Sequence, residues 1–329
     1  MSKTAFVILN WNCKDTIFDC LDSVITNTNE SNIIVVDNGS VDGSMSVIES
    51  KYPMVKTIYN GYNRGFSGGV NPGIKLAMES NYKYVALLNP DATLGNKWLK
   101  TLEMVLEKKN DVGIATGQFY NPETKSLDGV GEGFSDWLLP YLYGEGDQTD
   151  QHSEPMYRSG GSAGGSLYRI ELFKEIGMFD EYFFLYSEDT DVSLRAQHAG
   201  WRSYYHPDAK GTHAKNSSSR KVPGVVVEQS IRNRRVLVMK NIPGKMLLRH
   251  GYKFFFVEPL FAINQVRKGQ PKAAIKGYIK AWMATPYALK ARRQIMKSRK
   301  ITSKEFEKRV ITPGPPPIPF IKLLAKVMK

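Results

Sequence analysis

Tyr84-Val85-Ala86-Leu87-Leu88-Asn89-Pro90-Asp91 is an apolar run that ends in an acid. Four consecutive apolar residues, Val85 to Leu88, are the pattern of a strand covered on both faces, as in a parallel sheet. Asp91 then arrives at the C-terminal edge of that strand, where open α/β sheets place their ligands. Ile33-Ile34-Val35-Val36-Asp37-Asn38-Gly39-Ser40 is a second copy of the arrangement. Two apolar strands, each ending in an aspartate, point to a nucleotide site with room for a metal.

Working outward, strands are expected at 4–9, 33–36, 55–59, 84–88 and 112–116. Helices with apolar residues at helical spacing fall between them, at 15–26, 43–51, 70–80 and 96–109. This alternation predicts an α/β fold with a mainly parallel, right-handed βαβ sheet. From 118 to 166 the pattern loosens into Gly-, Asp- and Ser-rich sequence, read as loops and short strands that build one wall of a site. Helices at 169–176 and 189–199 bracket an aromatic segment, Phe179 to Tyr186. A helix at 226–240 closes the body, and no internal repeat is evident.

Charge divides the chain at the same place. Residues 240–329 hold 21 Lys and Arg against three acids, Glu258, Glu305 and Glu307, a net of +18. Residues 1–239 hold 24 bases and 29 acids, a net of −5. The expected organisation is therefore a body at 1–239 and a basic helical tail at 240–329, with amphipathic stretches at 245–257, 272–283 and 286–300. Pro313-Gly314-Pro315-Pro316-Pro317 reads as an extended spacer before an apolar-basic segment, Ile318 to Lys329. Such a tail suits an anionic partner, lipid or nucleic acid; the plainer reading is a solubilising helical surface. Cys13 and Cys20, the only cysteines, match no metal or redox spacing and fit a reducing cytoplasm. No signal peptide is expected, since the run from Ala5 stops at Asn10, and no stretch reaches the roughly 20 apolar residues of a spanning helix.

Asp37 ends its strand before a tight turn, Asn38-Gly39-Ser40-Val41-Asp42-Gly43-Ser44. Ser44 or Asp42 would cap the next helix. Structurally this is a well-made β-to-α turn; functionally, Asp37 would accept from a base imide or a ribose hydroxyl. Asn63-Arg64-Gly65-Phe66-Ser67-Gly68-Gly69-Val70-Asn71-Pro72-Gly73 permits close backbone approach, and the helix after it favours an anion. A dinucleotide fingerprint fails there, because Asn71 stands where the third glycine belongs. Asp91 suits a hard divalent cation that takes one or two carboxylates plus phosphate oxygens and water. Ser187-Glu188-Asp189-Thr190-Asp191 places three acids at a helix start, where the dipole accounts for one or two. Beside the aromatic run, burial would raise their pKa values and make one of them a general base. His213, after a strand-like stretch at 202–206, is either a metal ligand or a structural histidine.

Taken together, the sequence resembles glycosyltransferase family 2, the inverting GT-A enzymes, and most of all its rhamnosyltransferase-like members that build bacterial cell-surface polysaccharides. The stretches that carry the resemblance are Val7 to Asn12, Val36 to Ser44, Asn63 to Gly73, Leu87 to Ala92, and Gly177 through Asp191 to Trp201. It implies a nucleotide-diphosphosugar donor and a GT-A domain that binds it. Asp37 and Asp42 would hold the nucleoside, with Asn12, Asn63, Arg64, Gly65 and Asn89 also at the donor. Asp91 would hold Mg²⁺ or Mn²⁺ on the diphosphate, and His213 would be a further metal or diphosphate contact. Asp189 would be the base, with Glu188 beside it. Asn89 replaces the first acid of the family's Asp-x-Asp, so a single carboxylate would hold the metal. The reaction implied is a single inverting displacement onto a hydroxyl of a glycan or lipid-linked acceptor. The tail would seat a cytoplasmic protein on the anionic inner face of the membrane; its Lys and Arg beside aromatics fit an interfacial helix better than nucleic acid. Oligomerisation is left open. The rival from another class is a non-catalytic sugar- or lipid-binding adaptor of the same fold.

Overall fold

The computed structural model describes residues 3–214 and 223–312. Its first half alternates as expected: β1 (Thr4–Asn10), α1 (Ile17–Ile25), β2 (Ile33–Asp37), α2 (Ser44–Lys51), β3 (Lys56–Tyr59), α3 (Gly65–Glu79), β4 (Tyr84–Leu88), β5 (Ala92–Leu94), α4 (Trp98–Lys108) and β6 (Val112–Tyr120). Every residue of β2 and β4 is buried, as a strand covered on both faces requires. Phe6, Ile8, Val35 and Ala86 face α1 and α4. Their alternates Val7, Val36, Val85 and Leu87 face α3 and the later helices.

The chain continues through β7 (Leu127–Gly129), β8 (Glu132–Ser135), β9 (Pro140–Leu142), β10 (Met156–Arg158), β11 (Gly165–Arg169), α5 (Ile170–Ile176), α6 (Glu188–His198) and β12 (Arg202–His213). The large sheet runs β10-β12-β6-β11-β4-β1-β2-β3, with β5 on β12 and β7 on β6. It is parallel from β3 to β4 and mixed beyond, because β11 enters antiparallel to both β4 and β6. That insertion carries the 159–166 segment across the C-terminal ends of the parallel strands.

One expected boundary moves. The helix placed at 70–80 begins at Gly65, so its glycines lie inside the helix rather than before it. A Cβ on Gly69 would come within 2.6 Å of Leu9, and one on Gly73 within 2.6 Å of Val7. These glycines let α3 sit directly on β1.

α7 (Pro223–Asn241) spans the expected division at 239, and α8 (Gly244–Arg267), α9 (Pro271–Met283), α10 (Thr285–Ser298) and α11 (Ser303–Val310) follow it. Phe254, Phe306 and Val310 share a buried cluster with Phe134, Phe183 and Leu194 from the first 239 residues. β13 (Ile311–Thr312) then pairs in parallel with β8, Ile311 opposite Phe134. The Pro-rich spacer and the segment from Ile318 lie outside the described residues.

Candidate active site

The β1–β2 register sets Asn10 beside Asp37 at the sheet edge. Asp37 is buried, and its carboxylate accepts from Asn10 Nδ2 and from the amides of Gly39 and Ser40. Asn12, in left-handed conformation with φ of 54°, accepts from the Val41 amide at 2.8 Å. Asp42 accepts from the amides of Lys14 and Ser44, capping α2; its own burial is outweighed by these bonds, so its pKa falls below the usual range. Asn38, which the sequence reading did not single out, ties this turn to the next one. It donates to Asn63 Oδ1 and Gly65 O and accepts from the Arg64 amide, each at 3.0 Å. Arg64 reaches Glu181 at 3.0 Å.

Gly65 shows why that position excludes a side chain: a Cβ would lie 2.2 Å from the Phe184 carbonyl oxygen. This carbonyl accepts from the Phe66 and Ser67 amides. The start of α3 is therefore capped by the 181–187 segment, not left open to an anion as its sequence suggested.

Asp91 lies in the turn between β4 and β5. β5 pairs antiparallel with β12, His213 opposite Ala92, which delivers the imidazole to the carboxylate. His213 Nε2 is 3.1 Å from Asp91 Oδ1 and 3.3 Å from Asn89 Nδ2. On the other side, Nδ1 is 2.6 Å from Asp128 Oδ2, on β7. Burial alone would lower the His213 pKa, but the two carboxylates outweigh it and raise the pKa to about 9. Asp91 Oδ2 is buried and has no hydrogen-bond partner.

The acids at the start of α6 separate by partner. Asp191 is fully buried and structural: Arg195 Nε lies 2.8 Å away, and Lys240 and Asn241 complete its shell. Among the described residues no Lys or Arg forms an ion pair with Glu188 or Asp189. Burial raises both, Glu188 well above the usual carboxylate range. Glu132, on β8, joins them. It is buried, accepts from Thr190 Oγ1 at 3.1 Å, and lies near enough to Asp189 for the two charges to act on each other. Burial and the Asp189 charge push the Glu132 pKa well above the usual carboxylate range. A partly exposed carboxylate whose pKa is raised by burial has the character of a general base.

Gly160 exchanges two backbone hydrogen bonds with Glu132, and four residues on the Gly164 carbonyl accepts from the Asn89 amide at 3.0 Å. The Asn89–Asp91–His213 cluster and the Glu132–Asp189 cluster thus flank one strip of backbone. That strip holds four glycines in six residues, Gly160 to Gly165, and this density is its signal in the sequence. A Cβ on Gly160 would reach 2.7 Å from Glu132 and one on Gly164 2.6 Å from Asn89, so glycine lets both clusters close on it. Glu132 and Asp128 stand on short strands in aperiodic sequence and gave no signal of their own.

The sequence model of glycosyl transferase family 2 matches residues 5–177, more than half of the chain. The chain belongs to glycosyl transferase family 2. A relative in this family, an N-acetylglucosaminyl-diphospho-decaprenol L-rhamnosyltransferase of Mycobacterium tuberculosis, is 28% identical over 58% of this chain and 69% of its own. The dTDP-rhamnosyl transferase RfbF of Shigella flexneri is 25% identical over 67% of this chain and 76% of its own. Among solved structures, GalNAc-T7 with UDP, GalNAc and Mn²⁺ superposes with a TM-score of 0.60 at 15% identity, over 88% of this chain and 57% of that one. The likeness supports the GT-A fold, and the chain is a family 2 glycosyltransferase. The family match contains Asp37, Asn89, Asp91 and Glu132 but ends before Asp189 and His213.

Proposed function

We propose that this glycosyltransferase moves a sugar from a nucleotide diphosphate to a hydroxyl of a glycan or lipid-linked acceptor, with inversion. The observation that carries this reading is the strip at 160–165, which sets a cation-binding edge and a proton-accepting edge on opposite sides of one backbone segment. The β1–β2 and Asn63–Gly65 turns would receive the nucleoside. Asp189 would take the proton of the acceptor hydroxyl; burial raises its pKa, and the Thr190 amide donates to its Oδ1 at 2.8 Å. Glu188 lies next to it as a second, more strongly raised acid.

Mg²⁺ or Mn²⁺ fits the other edge. The unpartnered Oδ2 of Asp91 is one ligand position, and His213 Nε2 would be a second once it gives up its proton and its bond to Asp91. Asp128 would then hold the imidazole through Nδ1, the usual outer partner of a metal-bound histidine. Among the described residues no group of three or more His, Cys, Asp or Glu could hold a metal. Diphosphate oxygens and water would complete the shell. When bound, such an ion offsets the charge developing on the departing diphosphate. Manganese is bound in the GalNAc-T7 structure, which supports the assignment.

Rhamnose is the sugar in the names of both relatives, and a polyprenyl diphosphate carries the acceptor of one, so both are proposed here. The basic region from 240 onward would seat the enzyme at the inner face of the membrane, beside such an acceptor. No helix among the described residues is long and apolar enough to cross a membrane.

A thermal-shift screen of uridine, thymidine and guanosine diphosphosugars, with and without Mn²⁺, tests the donor. One donor class should stabilise the protein in a Mn²⁺-dependent way, and Asp91→Ala should remove that dependence while changing intrinsic stability by only about 1 kcal/mol. Stabilisation by none of them would favour the adaptor; full activity in EDTA would remove the metal from the reaction.

A further inference from the structure

Of the large apolar side chains exposed among the described residues, about half sit on two consecutive helices, α8 and α9. On α8 they are Leu248, Tyr252, Phe255, Phe256, Ile263 and Val266, at spacings that keep to one helix stripe. The opposite side of α8 packs inward through Phe254 and Val257. α9 repeats the pattern: Ile275, Ile279, Trp282 and Met283 face out, while Ala274, Gly277 and Ala281 are buried. A Cβ on Gly277 would lie 2.9 Å from the Glu228 carbonyl, so α9 rests directly on α7.

The two stripes meet. Buried Arg235 of α7, ion-paired with Glu258, lies 3.6 Å under the Trp282 ring and 5.6 Å from the Phe255 ring. Trp282 and Phe255 are still 54% and 42% exposed, so the outer faces of both helices join above that guanidinium. Charge frames the joined face. Between residues 244 and 283 stand eight Lys and Arg and a single acid, Glu258, which is buried. Lys245, Arg267, Lys268 and Lys272 are exposed on these two helices and the turn between them; Arg249 and Lys276 are exposed too but pair with Glu307 and Glu228.

We propose that the α8–α9 face is the surface on which this protein lies on an anionic lipid bilayer. Aromatic and aliphatic side chains would enter the headgroup–acyl boundary, and the bases would meet lipid phosphates. A second copy of the chain fits poorly. Two-fold pairing would set this patch against itself, and its rim of like charge has no exposed acid to answer it. The inference deepens the proposed function, since it would bring the site to a lipid-linked acceptor, but it is tested apart from transfer.

The experiment uses the full chain and the variant Leu248→Gln/Tyr252→Gln/Ile279→Gln/Met283→Gln, whose targets are each at least half exposed. Co-sedimentation is measured with phosphatidylglycerol–phosphatidylcholine vesicles and with phosphatidylcholine alone, alongside gel filtration and the donor thermal shift. Wild type should pellet with the anionic vesicles only, and the variant's partition should fall at least ~10-fold. Both proteins should give the same donor shift, showing that the variant is folded. Equal pelleting of the variant, wild type that ignores anionic vesicles, or a wild-type dimer that the variant converts to monomer would each overturn the proposal. Vesicle binding without any donor shift would support the surface and count against the transferase reading instead.

Discussion

Glu132, on β8, lies beside Asp189 of α6, and burial pushes both carboxyls above their usual range. A protonated Glu132 would donate to Asp189 and favour its ionised form. Glu132→Leu removes that donor, so the Asp189 pKa should rise and the acidic limb of the kcat/KM profile should move to higher pH by about one unit. Glu132→Gln still donates and should leave the limb nearly in place. An unmoved limb in the Leu variant would show that the two carboxyls are not coupled. Stability gives an independent check with a definite sign. A carboxyl whose pKa is raised on folding favours the fold below its unfolded pKa, and this contribution is lost as pH rises towards the folded value. The advantage of Glu132→Gln over wild type in urea midpoint should therefore grow from about pH 5 to about pH 8.

At the scale of elements, the segment before α6 is bent in an unusual way. Phe184, Tyr186 and Ser187 all have positive φ, between 61° and 71°, without being glycine. Residues in that region are costly unless the surroundings fix them. α7 supplies the fixing: buried Asn233 Nδ2 donates to the carbonyls of Phe183, Leu185 and Tyr186, each at 2.8 Å, and Arg232 donates to Tyr182 and Phe183. Asn233→Ala would leave buried carbonyls unanswered and should cost about 3 kcal/mol in denaturant unfolding, with a loss of turnover because Glu188 and Asp189 follow directly. A near-neutral effect on both would mean that the loop holds its own shape. The sequence shows β2 and β4 because runs of buried apolar residues need no distant information. It does not show which of Glu188, Asp189 and Asp191 is structural, since Lys240 and Asn241, which claim Asp191, lie some 50 residues on. Nor does it show Asn233, an amide inside a helix, or Glu132, on a four-residue strand. The glycines of 65–73 are ambiguous in sequence for a physical reason: close packing of a helix on a strand and close approach to a phosphate select the same residue.

Across the whole molecule, the basic C-terminal region is joined to the catalytic body by its core as well as by its chain. Phe306 is fully buried and stacks on His198 of α6 with ring centroids 4.0 Å apart, and β13 pairs with the strand that carries Glu132. Phe306→Ala should cost about 3–5 kcal/mol, the range for an aromatic lost from a packed core. A chain ending at residue 239 would expose Phe134, Phe183 and Leu194 and should fail to unfold as a single cooperative unit; a soluble, donor-binding 1–239 fragment would show that the body is independent of its tail. The same connection means that the reaction is best measured on the full chain. Turnover of wild type and Asp189→Asn, compared at saturating nucleotide-sugar and acceptor, bears most directly on the proton-accepting role of Asp189. The expected result is a kcat lower by at least ~10²-fold in Asp189→Asn with donor affinity unchanged. Undiminished turnover in Asp189→Asn, or a larger loss in Glu188→Gln, would contradict it.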